Sequence, residues 1–472
     1  MKGDSALDKT EERFVAYASQ LTYADLTPQA NHAVKRSVID SIGCAFGAFD
    51  VASTRAIRNL AAQVTSTRPA TVIGTRIRSS PELAAFANSS MIRYLDFSDD
   101  YFGGYGEMGP HPSDNIGAVL AAAESAGAGG ADVLLGVAIA YEAVGQIIDK
   151  LDLGGVKPSW DYPIFHSIAS SLGGGKVLGL SRPQLRDALA LAIIPNISLS
   201  QTRLGELSNW KGFRGPNGAR NGLFAAMLAR EGITGPEDAF EGRAGLMNHL
   251  QQHFELGTLG GDGTPFKIEG TYFKFMPVRY NVQLSVWIAL ELRKKIRLEE
   301  VESICVFREK RSVIAGADNP EYWNPMTRET ADHSMPYLVG AAFVDGDINS
   351  TTFTPERFRD PVILALTRKI RMQEDPAFTA AYPKTFHCRF EVTMKSGEVV
   401  TMEQTNPRGH PKNPMTDHEI EEKFLKQATV ACIPEAQSRS LLAQLWRLEQ
   451  VTELGTLFEM MRVPSKVGDA GN

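Results

Sequence analysis

In the first half of the chain, apolar residues recur at helical spacing, and the breaks between the apolar runs carry helix-start chemistry. After Thr27-Pro28, the residues Val34, Val38, Ile42 and Phe46 return every four positions and form one apolar stripe. Thr27 and Ser80 each stand before a proline, pairing a capping side chain with a φ already set for the first helical turn. Ser181 and Gln184 read as a capping box, with Leu180 and Leu185 as its hydrophobic staple. Leu134, Val137, Tyr141, Val144 and Ile148 share one face of a further helix, and the many alanines of this half suit close helix contact. There is no repeat of fixed period and no strand–helix alternation of the kind that builds a doubly wound sheet.

The pattern changes after Tyr280. Residues 298–306 read as a strand ending in Ile304-Cys305-Val306, and 385–403 alternate around a hairpin turn at Lys395-Ser396-Gly397-Glu398. This stretch predicts a separate α+β unit. From Thr416 helical spacing returns over 419–429 and 438–450, so the end of the chain is expected to pack on the first domain. The polar residues 464–472 are expected to fray.

Length and composition fit this division. A chain of 472 residues with 43% hydrophobic and 22% charged positions has enough apolar surface for two cores. The net charge of −6 supplies no basic field, which excludes nucleic acid as a partner and means that an anionic substrate must be drawn by a locally positive cleft. The opening MKGDSALDKTEERF lacks a signal-peptide pattern, and no apolar run approaches the ~20 residues of a membrane helix, so the reading is cytoplasmic with no membrane partner. Cys44, Cys305, Cys388 and Cys432 are too scattered for a disulfide framework or a zinc site and are expected to be buried thiols.

Candidate chemistry gathers at a few places. Gly173-Gly174-Gly175-Lys176 is followed by Val177 where a phosphate loop needs Ser or Thr, so close helix packing is the better reading. Leu95-Asp96-Phe97-Ser98-Asp99-Asp100, then His111-Pro112-Ser113-Asp114-Asn115, bring carboxylates and an imidazole to a helix junction where acid–base groups are often positioned. Asp96 and Asp114 are equally readable as helix caps. A metal site is the weaker reading, since no paired-histidine helix or regular Asp loop accompanies them. His166 lies near the start of an apolar helix, where a structural role competes with a catalytic one. Lys211 with Arg203, Arg214 and Arg220, and Lys267 with Lys274 and Arg279, form two cationic clusters. The second lies beside the predicted domain boundary, a place that favours pockets. Solvation alone accounts for many such clusters.

Together these stretches resemble the MmgE/PrpD family. The residues that carry the resemblance are Arg93-Tyr94-Leu95-Asp96-Phe97, the His111–Asn115 segment, Gly215-Pro216-Asn217-Gly218-Ala219-Arg220-Asn221-Gly222 and Glu241-Gly242-Arg243-Ala244-Gly245-Leu246. The most distinctive is Asn324-Pro325-Met326-Thr327-Arg328-Glu329-Thr330-Ala331-Asp332-His333-Ser334-Met335-Pro336-Tyr337. The resemblance implies a mainly α fold with an α+β lid: a helical-bundle domain from both chain ends, 5–275 and 412–462, and an inserted smaller α+β domain, 276–411. It also implies a homodimer and cofactor-free chemistry beside carboxylates, as in 2-methylcitrate dehydration, cis-aconitate decarboxylation and iminodisuccinate epimerisation. Asp96, His111, His166, Lys211, Lys274 and Tyr337 match active-site positions of the family and are expected to line one cleft. Two departures bear on substrate choice: Asp100 stands where relatives commonly carry Thr, and Asn281 where dehydratase-like members tend to have His.

The reading that follows is a cofactor-independent dehydratase acting on a small hydroxylated di- or tricarboxylate. A lysine-stabilised enediolate forms when a neutral histidine removes the α proton. The other histidine or Tyr337 donates to the leaving hydroxyl, and Asp96 orients an imidazole. Decarboxylase and epimerase are the alternatives within the family, and a non-catalytic carboxylate-binding protein is the alternative outside it.

Overall fold

Thr27 accepts a hydrogen bond from the Ala30 N–H at 3.1 Å and opens the helix Pro28–Gly47, whose Val34, Val38, Ile42 and Phe46 are all buried. The computed structural model describes residues 8–104, 109–152 and 160–464, so of the tail expected to fray only Pro464 lies within the described residues. Two units divide the chain. The first takes Met1–Leu199, Gly212–Thr271 and Thr416–Asn472, and the second Ser200–Lys211 and Tyr272–Met415.

The first unit is helical, and its named strands among the described residues are the two-residue pair β1 (Ala70–Thr71) and β2 (Arg78–Ser79). The capping box at Ser181 is present, with both its N–H and its hydroxyl on Gln184 Oε1 at 3.0 Å, and it opens the helix Arg182–Ile193. The helix Asp417–Val430 returns from the chain end to pack on Pro28–Gly47.

Helix Gly130–Ile148 corrects one expectation. At 19 residues it is apolar and long enough to cross a membrane by length and composition, although no apolar run was expected to approach that length. Its burial accounts for its hydrophobicity, because 89% of its apolar window is covered inside the protein. It packs on helix Pro163–Val177, where a Cβ on Gly173 would stand 2.3 Å from the Gly136 carbonyl oxygen. The glycine run is therefore a helix-packing device.

The second unit is built on a mixed sheet in the order β4-β3-β5-β6, where β3 is Val301–Arg308, β4 Ile370–Glu374, β5 His387–Met394 and β6 Val399–Thr405. β4 runs parallel to β3, while β5 and β6 are antiparallel to their neighbours. The predicted hairpin is the β5–β6 turn, where Gly397 adopts φ +87° and donates to the Met394 carbonyl at 2.8 Å. Cys388, Phe390 and Val392 alternate inward along β5 against helix Gln283–Leu292. The first strand begins later than 298–306 suggests, because Leu298–Glu300 is a 3₁₀ turn. Cys44 and Cys388 are buried thiols, but Cys305 is half-buried and Cys432 exposed, so burial holds for two of the four.

Candidate active site

Helix Pro81–Tyr94 ends where the Asp-rich segment begins, and Asp96 takes a left-handed φ of +50°. That region is uncommon for any residue with a Cβ, although Asp tolerates it better than most. The turn is held by an ion pair, Arg93 Nη1 to Asp96 Oδ1 at 2.7 Å, with both side chains 3% exposed. From the other side Lys423 donates to the Phe97 carbonyl at 2.7 Å while pairing with Asp40 at 2.6 Å. The C-terminal helix thereby fixes a loop more than 300 positions earlier in the sequence.

Asp99 is the organiser of this loop. Its carboxylate accepts from the Ser113 N–H at 3.1 Å and from the Tyr141 hydroxyl at 2.6 Å. Complete burial nevertheless raises its pKa to about 6 against those bonds. Its backbone carbonyl lies 2.6 Å from His111 Nδ1. A carbonyl can only accept, so Nδ1 carries the proton and the basic lone pair belongs to Nε2, the nitrogen that faces Asp96 Oδ1 at 3.8 Å. The tautomer of His111 is thus set by the Asp99 main chain, where sequence reasoning gave that task to Asp96. Asp100 turns one oxygen to the Tyr101 N–H at 3.1 Å and the other toward His111 Nδ1 at 4.0 Å.

His166 is fully buried in helix Pro163–Val177, and its state is equally determined. Asn115 donates to the Pro112 carbonyl and accepts from Ser170, which fixes its amide and makes its Nδ2 the donor to His166 Nδ1 at 3.0 Å. The ring hydrogen therefore sits on Nε2, 3.6 Å from Asp114 Oδ2. Burial, reinforced by Arg214 and Arg93, drives the His166 pKa down to about 3 and holds the ring neutral. Burial also pushes Asp114 well above the usual carboxylate range, and neither of its oxygens has a hydrogen-bond partner among the described residues. The family-like glycine segment makes this packing possible. A Cβ at Gly215 would lie 1.9 Å from Asp114 Oδ2, and one at Gly218 or Gly222 would meet the Pro163 or Ser167 carbonyl at 2.2 and 2.1 Å.

The three remaining positions belong to the second unit. Lys211, at the start of helix Trp210–Arg230, places Nζ 2.7 Å from His333 Nε2, and His333 Nδ1 is hydrogen-bonded to Asp332. Since the carboxylate takes the Nδ1 hydrogen, Nε2 is the acceptor for the Lys211 ammonium. Lys274 is buried at 1% exposure, and its segment is fixed on both sides: Phe273 donates to the Gly409 carbonyl at 2.9 Å, and Gln283 brackets Met276 through its amide. Tyr337 lies in the core with its hydroxyl donating to the Thr352 carbonyl at 2.5 Å, and burial raises its pKa. The donor role expected of Tyr337 would require that bond to break.

Within the first unit, then, Asp96 and His111 share one neighbourhood, and Tyr162 packs its ring edge-on to both His111 and His166, at 6.0 and 5.3 Å. Within the second, Lys211 joins a buried His333–Asp332 pair that sequence reasoning passed over. The only signal for that pair is its adjacency inside the Asn324–Tyr337 motif. Asp99 and Asp114 were likewise given no catalytic part.

Comparison with known proteins matches residues 12–258 to the MmgE/PrpD N-terminal domain and residues 276–448 to the MmgE/PrpD C-terminal domain. The chain is similar to cis-aconitate decarboxylase of Homo sapiens, 23% identical over 99% of this chain and 97% of that protein. It is also similar to 2-methylcitrate dehydratase of Salmonella typhi, 26% identical over 73% of this chain and 74% of that protein. The mitochondrial 2-methylcitrate dehydratase of Yarrowia lipolytica is 26% identical over 72% of this chain and 68% of that protein.

Proposed function

The chain belongs to the MmgE/PrpD family, and from that premise we propose that it is a hydro-lyase acting on a hydroxylated di- or tricarboxylate such as 2-methylcitrate, with no metal or organic cofactor. The observation that carries this reading is His111, whose Nδ1–H is tied to a backbone carbonyl, so that Nε2 is the nitrogen left to exchange a proton with substrate. A ring nitrogen held in this way is suited to general acid–base transfer.

In the proposed reaction the α C–H bond breaks and its proton passes to His111 Nε2. The electron pair enters an enediolate whose charge is opposed by the ammonium groups of Lys211 and Lys274. When the pair returns to form the C=C bond, the C–O bond breaks and the hydroxyl leaves as water with the proton from His111. One histidine serves in both directions because His166 is held neutral and Tyr337 is engaged by Thr352.

A second reading, decarboxylation of a cis-aconitate-like acid, is favoured by the near-complete coverage of the human relative. It would use the same cations to stabilise the carbanion left by CO₂, with protonated His111 as the donor. The test is to incubate chelator-treated protein with 2-methylcitrate, citrate, cis-aconitate and iminodisuccinate and to follow water loss and CO₂ release together. Water loss from a hydroxylated acid that disappears in His111→Gln supports the first reading, and CO₂ release alone supports the second.

A further inference from the structure

We propose that His410 is a positioning residue for Lys274: its Nδ1 closes the turn 407–413, and that turn holds the backbone from which the lysine side chain departs. The inference rests on the lyase reading for what Lys274 does, and it concerns a residue with no part in that reading. All of the residues involved belong to the second unit.

Lys274 has no regular element to carry it. It stands in the irregular stretch before the 3₁₀ turn Tyr280–Val282, yet it is 1% exposed. A long side chain in such a place is aimed by the neighbours that hold its main chain. The neighbour here is Gly409. Its carbonyl accepts from the Phe273 N–H at 2.9 Å, and a Cβ added to it would stand 2.2 Å from the Phe273 carbonyl oxygen. With φ +94°, Gly409 takes a conformation and a space suited to glycine. The turn is fastened to the open end of the β5–β6 hairpin: the Asn406 N–H donates to the Phe386 carbonyl at 2.8 Å, and its side-chain oxygen accepts from the Phe386 N–H at 3.1 Å.

His410 closes this turn from inside. Its N–H donates to the Pro407 carbonyl at 3.0 Å, its carbonyl accepts from the Asn413 N–H at 2.8 Å, and its Nδ1 accepts from the Lys412 N–H at 2.9 Å. The first two bonds are main chain, and the third belongs to the side chain. It spans i to i+2, as the oxygen of an asparagine does in an Asx turn. Since Nδ1 accepts, the ring hydrogen is on Nε2, which is buried and has no hydrogen-bond partner among the described residues. Burial, with Lys412 adding to it, lowers the pKa to about 4 and keeps the ring neutral. The surroundings are aromatic: Tyr272, the residue before Phe273, packs edge-on at 4.9 Å and Phe386 at 5.7 Å. Phenylalanine would suit that shell, so what the imidazole adds is the Nδ1 acceptor.

The test separates the acceptor from the ring, using whichever of 2-methylcitrate, citrate or cis-aconitate the wild type turns over. His410→Phe keeps an aromatic ring against Tyr272 and removes the acceptor, whereas His410→Asn keeps an acceptor for the Lys412 N–H and removes the ring. A displaced ammonium is felt in the transition state more than in the bound substrate. His410→Phe is therefore expected to lower kcat by about 10- to 100-fold with KM within about threefold of wild type. His410→Asn should recover kcat to within about threefold of wild type. In a Lys274→Ala background, His410→Phe should lower kcat no further, because residues that act through one group are not additive. Hydrogen exchange over residues 272–276, followed by mass spectrometry, needs no turnover. It should be about tenfold or more faster in His410→Phe than in wild type or His410→Asn.

Unchanged kcat in His410→Phe, a loss that His410→Asn does not recover, or a loss of the same size in the Lys274→Ala background would each overturn the proposal. Should His410→Phe fail to fold, His410→Gln carries the same test, since its amide extends past the Nδ1 position: a lowered kcat supports the proposal and a wild-type kcat overturns it. The exchange measurement keeps the two readings apart. If wild type turns over no acid and exchange responds as stated, the lyase reading fails and the turn's hold on Lys274 stands. If wild type turns over an acid and His410→Phe matches it in both kcat and exchange, the hold fails and the lyase stands.

Discussion

His111 Nδ1 and the Asp99 backbone carbonyl stand 2.6 Å apart, and that contact decides which nitrogen of the ring is basic. The decision rests on main chain, so no side-chain replacement at Asp99 removes it directly. Removing the ring does. His111→Gln is expected to lower kcat by about 100- to 10,000-fold, the usual range for a general base, while the thermal midpoint stays near that of wild type. Steady-state kinetics with calorimetry on the same sample checks this. A variant within a few fold of wild-type kcat would remove His111 from the proton-transfer role.

His166 gives a prediction about stability and pH. Its folded pKa of about 3 lies below the ordinary 6.5, so the unfolded chain binds a proton in this window that the folded protein refuses. The stabilisation is therefore complete above pH 6.5 and is lost as pH falls toward 3, at up to about 1.4 kcal/mol per pH unit. Urea unfolding at pH 7 and pH 5 should show a smaller loss of stability in His166→Gln than in wild type. Equal losses would mean that the buried ring takes up a proton in the folded state.

Lys423 should matter to a loop far from it in sequence. Replacing it with Met removes the cation that pairs with Asp40 and the donor to the Phe97 carbonyl, both in the interior. Breaking one side of a buried pair costs about 3–5 kcal/mol. The calorimetric midpoint of Lys423→Met should therefore fall by several degrees, while Lys426→Met, an exposed neighbour on the same helix, leaves it in place. Matching midpoints for the two variants would show that the interior tolerates the loss of the bond.

The two cations once grouped together, Lys267 and Lys274, are expected to separate in kinetics. Lys267 is partly exposed and neutralised by Asp149 at 2.7 Å, whereas Lys274 is buried. Lys274→Ala should lower kcat/KM by about 100-fold, as loss of one preorganised donor to a developing anion does, and Lys267→Ala should leave it within a few fold. If both variants kept wild-type kcat/KM with the fold intact, charge stabilisation would have to rest on Lys211 and the arginines.

Much of the fold is legible in the sequence because its signals are local. The Thr27 cap, the Ser181–Gln184 box and the Gly397 turn each involve residues within a few positions of one another, and each is present. The helix stripe through Val34 and Phe46 is equally local. What periodicity cannot supply is pairing across distance: Asn115 meets His166 over 51 positions, and Lys211 meets His333 over 122. The protonation state of His166 also depends on Arg93 and Arg214, which only the fold brings near it. The same limit explains the surprise at Gly130–Ile148. Its composition resembles a membrane span, and only its packing partners distinguish it from one. Asp332 and His333 sit in plain view in their motif, but a role for them appears only when Lys211 is seen against the ring.

The central claim, metal-independent loss of water from a hydroxylated di- or tricarboxylate with His111 as base, is tested most directly on chelator-treated protein. The Asp96 and Asp99 carboxylates are engaged by Arg93, Ser113 and Tyr141, which hold them in place within the loop. Formation of the unsaturated acid from 2-methylcitrate and citrate is followed by absorbance, with CO₂ release measured in parallel. The expected result is water loss at the same rate before and after EDTA treatment, and its disappearance in His111→Gln. Activity that is lost with EDTA and restored by one divalent ion, or turnover confined to CO₂ release from cis-aconitate, would contradict it.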